Sequence, residues 1–79
     1  MMGRIIVANR RGHQILEWDT DTDSDEARAC VLEAERIIHE ARAKGCAVSR
    51  KVGAQHMLDD GPFDPRAEEY QIIAPIAGG

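Results

Sequence analysis

Tyr70-Gln-Ile-Ile-Ala-Pro-Ile-Ala-Gly-Gly79 is the stretch from which the rest of the sequence is best read. Tyr70 to Ala74 has the aromatic and β-branched content of a short strand, with a Glu pair just before it. Pro75 removes a backbone donor and ends that strand. Ile76 and Ala77 extend the chain to Gly78-Gly79, which offer a carboxylate with no Cβ near it. Glycine loses the most backbone entropy on ordering, so such a pair is poor material for holding a fold together. It is well suited to threading a carboxylate down a narrow channel.

Working outward, Ile72, Ile73 and Ala74 put apolar groups on both faces of their strand. Only one other segment does the same: Arg4-Ile-Ile-Val-Ala8 near the start. Strands apolar on both faces belong at a sheet centre, so the two are expected to be neighbours and parallel. Asn9-Arg-Arg-Gly12 is a tight connection, with Gly12 free to take a left-handed conformation. His13 to Trp18 returns as a second strand, Leu16 and Trp18 on one face, Ile15 and Glu17 on the other.

Asp19-Thr-Asp-Thr-Asp-Ser-Asp-Glu26 has the composition of a calcium loop but not the spacing. Counted from Asp19, the sixth position is Ser24 where the motif needs Gly, and the twelfth is Cys30 where it needs a bidentate Glu. The tract reads instead as a helix start, with Thr22 or Asp23 as N-cap and acidic groups at the positive end of the dipole. Ala27, Cys30, Val31, Ala34, Ile37, Ile38 and Ala41 then form one apolar stripe. Glu33, Glu35, Arg36, Glu40 and Arg42 are expected on the other side, and Gly45 ends a helix running from about Asp23 to Lys44. Cys46–Val52 and Gln55–Leu58 read as strands around Gly53. Asp59-Asp-Gly-Pro62 is a turn, and Asp64-Pro65 opens one helical turn through Glu69. The pattern predicts an α+β β-grasp: a mixed sheet of four to five strands packed on one long helix. Ile5, Val7, Leu16, Trp18, Val31, Ala34, Ile38, Val48 and Ile72 are its expected core. Residues 1–74 make the domain and 75–79 an extended tail.

Composition narrows the function classes. Of 79 residues, 10 are Lys or Arg and 14 Asp or Glu, a net charge of −4 that argues against non-specific nucleic-acid binding. Apolar content of 43% is globular, and no apolar run is long enough to span a membrane. With no secretory signal visible, Cys30 and Cys46 read as small core hydrophobes in a cytoplasmic protein. His13, His39, His56 and the two cysteines form no catalytic or zinc motif.

Residues 67 to 79, Ala-Glu-Glu-Tyr-Gln-Ile-Ile-Ala-Pro-Ile-Ala-Gly-Gly, resemble the end of the ubiquitin-like sulfur carriers, closest to the small subunit of molybdopterin synthase and similar to thiazole-pathway carriers. Those chains end in an acidic turn, an apolar strand, Pro, two small residues and Gly-Gly. The resemblance implies a carrier or modifier, not an enzyme. Gly79 would be activated as an acyl-adenylate with Gly78 its slender neighbour, Pro75, Ile76 and Ala77 would guide the tail, and Ile72 and Ile73 would meet a partner. That partner, a ubiquitin-activating-type adenylating enzyme, would supply ATP and magnesium, and the chain itself would bind no cofactor. A synthase, conjugating or deconjugating protein would follow. The chain departs from the family at Ala74, where the usual Pro-Pro pair begins, and in its longer helix. β-Grasp modules of phage tail-assembly proteins have a similar Pro-x-x-Gly ending, so a non-catalytic assembly module is the rival expectation.

Overall fold

The computed structural model describes residues 1–9 and 12–73. Six elements follow in order: β1 (Met2–Asn9), β2 (Gly12–Asp19), α1 (Asp25–Ala43), β3 (Ala47–Val52), β4 (Gln55–Leu58) and β5 (Glu69–Ile73). The strands form one mixed sheet ordered β2-β1-β5-β3-β4. β1 pairs antiparallel with β2 and parallel with β5, and β3 pairs antiparallel with both β5 and β4. The two strands apolar on both faces are thus central, adjacent and parallel, and a small α+β fold with one helix results.

Period-two alternation sorts each strand's residues between the helix side and an open side. Ile5, Trp18, Val48, Tyr70 and Ile72 turn toward α1 and meet its buried residues Ala34, Ile38 and Ala41, with Val7, Leu16 and Val31 packed at the margin. Cys30 and Cys46 are free thiols, half-buried against the same core.

Tyr70 and Ala67 are core residues the sequence did not single out; Tyr70 is fully buried, and its hydroxyl accepts the Asp64 N–H at 2.9 Å. Burial pushes its phenol pKa up. Phe63 lies against both Tyr70 and Trp18, ring centroids 5.5 and 5.6 Å away. The Trp18 indole N–H donates to the Pro65 carbonyl at 2.8 Å, so the long loop between β4 and β5 is pinned to the core by its polar tips.

Local chemistry departs from expectation at three places. The helix N-cap is Ser24, not Thr22 or Asp23: its Oγ accepts the Ala27 N–H at 3.1 Å. Asp23 instead receives Arg28 at 2.7 Å, and Asp19 receives the Asp21 N–H and the Thr22 hydroxyl, which holds its carboxyl below the usual range. The helical turn expected over Asp64–Glu69 is a non-helical turn: Asp64 accepts the Arg66 N–H, and Glu69 already belongs to β5. Arg42, expected to face solvent, reaches the Asp59 carbonyl at 2.7 Å. The helix ends as read. Gly45 has φ 83°, its N–H meets the Arg42 carbonyl, and the Cys46 N–H meets Ala41, the Schellman pattern.

Candidate functional site

The open side of the sheet carries a charged row and an apolar row. In the charged row, Glu17 of β2 stands opposite Arg4 of β1, which stands opposite Glu69 of β5, and on the far strands Lys51 faces His56. Glu69 is only 6% exposed although it lies on the uncovered face. Arg4 Nε donates to its Oε1 at 2.6 Å, and His56 Nε2 lies 2.7 Å from its Oε2. Lys51 Nζ pairs with the preceding Glu68 at 3.2 Å. Burial alone would push the Glu69 carboxyl up, but the Arg4 hydrogen bond and charge, with the charge and hydrogen bond of His56, bring it below the ordinary value. Each carboxylate oxygen of Glu69 thus has one cationic or imidazole partner, and the buried carboxylate is held in place from both sides. The cluster ties three strands together and is a brace.

The apolar row lies next to it, toward the C-terminal end of β5. Ile15 pairs across the sheet with Ile6, and Ala8 with Ile73, while Ala47 flanks Ile73 on the other side. Ile15 is 59% and Ile73 52% exposed, and Leu58 on the β4 edge is exposed too. Gln71 and Ser49 lie between Ile6 and Leu58 across the sheet, so the exposed aliphatic groups of this face alternate with polar ones. Of the two residues expected to meet a partner, Ile72 is spent in the core at 3% exposure, and Ile73 is the one on the open face. The period of two within β5 forces that division. Gly79, Gly78, Ala77, Ile76 and Pro75 lie outside the described residues.

A concavity of about 470 Å³ sits between the start of α1 and the Asp tract, floored by Trp18, Ala27, Val31 and Pro65. Its rim carboxylates are engaged with neighbours: Asp21 with the N-terminal amine, Asp19 and Asp23 as above. Among the described residues no His, Cys, Asp and Glu cluster is placed to hold a metal ion. Nor is any described helix long and apolar enough to cross a membrane. His13 and His39 are exposed and stand apart from the Glu69 cluster.

Sequence reasoning missed the Glu69 cluster because its members are far apart in the chain. The one available signal was a Glu beginning a strand otherwise marked as central, a place where a carboxylate needs partners. Comparison with protein-family models, with curated protein sequences and with solved structures gives no match.

Proposed function

We propose that the chain is a ubiquitin-like carrier or modifier of β-grasp fold, whose Gly79 carboxylate is adenylated by a partner and then used for sulfur transfer or conjugation. The observation that carries the reading is the placement of β5. It is a central strand parallel to β1, and it delivers the chain, at an exposed Ile73 within an apolar row, directly into Ala74-Pro-Ile-Ala-Gly-Gly79. The element order, a hairpin, one helix and a last strand inserted beside the first, supports the β-grasp assignment.

The chemistry asks little of the chain. A carboxylate is a poor electrophile, so the partner supplies ATP and magnesium. A Gly79 oxygen attacks the α-phosphorus, pyrophosphate leaves, and the acyl-adenylate forms. A sulfur nucleophile or an amine then displaces AMP, leaving a thiocarboxylate, thioester or isopeptide at Gly79. Gly78 is slender enough to enter the partner's channel, Ile76 and Ala77 would guide the tail toward it, and Ile73 with Ile6 and Ile15 would give the partner an apolar foothold.

Wild type, a Gly79 deletion and Gly78→Val should be compared by thermal melting and by ATP-dependent adenylation with ubiquitin-activating-type enzymes. The carrier reading requires equal melting temperatures and loss of adenylation in both variants. A melting temperature several degrees lower on deletion of Gly79 makes the tail structural and transfers the reading to a non-catalytic assembly module.

A further inference from the structure

The sheet has two edges, and they differ. β4 is four residues long, and its His56 is committed to Glu69. β2 is eight residues long, and its register with β1 runs unbroken from Asp19 to Gly12, with no bulge. It contains neither Pro nor Lys, residues with which natural sheets blunt a free edge. Its outward backbone groups follow from one bond: the Thr20 N–H donates to the Met1 carbonyl. In an antiparallel ladder the bonded pairs alternate, so Gly12, Gln14, Leu16 and Trp18 bond inward to β1. The N–H and C=O groups of His13, Ile15 and Glu17 therefore point away from the sheet.

That edge is self-complementary. If a second β2 lies antiparallel about a two-fold axis at Ile15, Ile15 meets Ile15 of the other copy, and His13 of each copy meets Glu17 of the other. All three residues are exposed on the open face, so the register places imidazole beside carboxylate twice and aliphatic beside aliphatic once. Each of these pairs exchanges both of its N–H···O bonds. A shift by one residue would set Ile15 and Glu17 on opposite faces from their partners and lose the match. On the helix side the same register covers the half-buried Leu16 with Gln14 of the other copy.

We propose that β2 is a homodimerisation edge, joining two copies into one continuous sheet with a two-fold axis at Ile15. The two apolar rows become continuous through the Ile15 pair, and each Glu17 is flanked by its own Arg4 and the other copy's His13. This inference stands apart from the carrier reading, since it uses no tail residue.

The test is sedimentation of the 79-residue chain in reducing buffer from micromolar to millimolar concentration, with amide exchange read at both ends of that range. The mass should rise from 8.7 kDa toward about twice that value as mass action populates the dimer. The His13, Ile15 and Glu17 amides should gain protection in step, while Gln14 and Leu16 are protected throughout. His13→Glu sets two like-charge pairs against each other and should weaken the dimer about tenfold. His13→Lys, equally exposed, should keep it or tighten it, and melting should show both variants folded. A monomer at millimolar concentration overturns the proposal. So does a dimer whose Ile15 amide exchanges as fast as in the monomer, or one that His13→Glu leaves intact.

Discussion

Replacing Gly3 by Ala tests how tightly the β1–β2 pair is built. Gly3 stands opposite Trp18, whose ring lies across it. A Cβ at Gly3 would fall 2.7 Å from Trp18 Cε2, 2.8 Å from Cζ2 and 2.8 Å from the Ala67 carbonyl oxygen. Carbon atoms in contact prefer about 3.5–4.0 Å, so the ring must move by roughly 1 Å. It cannot do so freely, because its N–H holds the Pro65 carbonyl and its ring packs edge-to-face with Phe63. Overpacking costs about 1–3 kcal/mol. Loss of the indole hydrogen bond adds about 1 kcal/mol. The sum, about 2–4 kcal/mol, is a large part of the roughly 4–12 kcal/mol available to a domain of this size. A melting point lower by roughly 10–25 °C follows. Circular dichroism measures it, and the single tryptophan gives an independent fluorescence readout of the displaced ring. A Gly3→Ala protein that melts within about 2 °C of wild type, with unchanged emission, would refute this packing.

Three further outcomes are expected. Glu69→Gln should lower stability at neutral pH by about 1–2 kcal/mol, because hydrogen bonds to charged partners exceed neutral ones and Arg4 is partly solvated. The folded Glu69 carboxyl titrates below its ordinary value of 4.5, so its contribution is present above that pH and is lost as pH falls through the folded value; denaturant melts of the two proteins should converge in acid. Ser24→Ala should cost about 1 kcal/mol through the lost N-cap, read as a lower urea midpoint with unchanged slope. Ile38→Ala, at the buried centre of the α1 stripe, should cost about 2–4 kcal/mol by the same melts.

What could be read from the sequence followed from periodicity. Ile5-Ile-Val7 and Ile72-Ile73 read as central strands and lie there, with the Ala34–Ile38–Ala41 stripe facing them, while Ala74 lies outside the described residues. Leu32, off the stripe, is accordingly exposed. What could not be read depended on partners distant in the chain. Glu69 looked like one of an acidic pair before a strand, and nothing local points to Arg4, 65 residues away. Tyr70 as a buried anchor needed the Asp64 amide brought to its hydroxyl. In the Asp tract several residues compete to cap the helix, and only the bonds from Arg28 to Asp23 and from Thr22 to Asp19 leave Ser24 the task. The open-face apolar row arises from pairing Ile6 with Ile15 and Ala8 with Ile73, which no single segment contains.

The central claim is that Gly79 is a reactive end. Fragmentation mass spectrometry of the chain recovered from its own cells, with thiols trapped during lysis, tests it most directly. A fraction of molecules is expected in which Gly79 carries sulfur in place of a carboxylate oxygen, or is joined through its carbonyl to another protein. Gly79 present only as an unmodified free carboxylate, in cells where the chain is abundant, would contradict it.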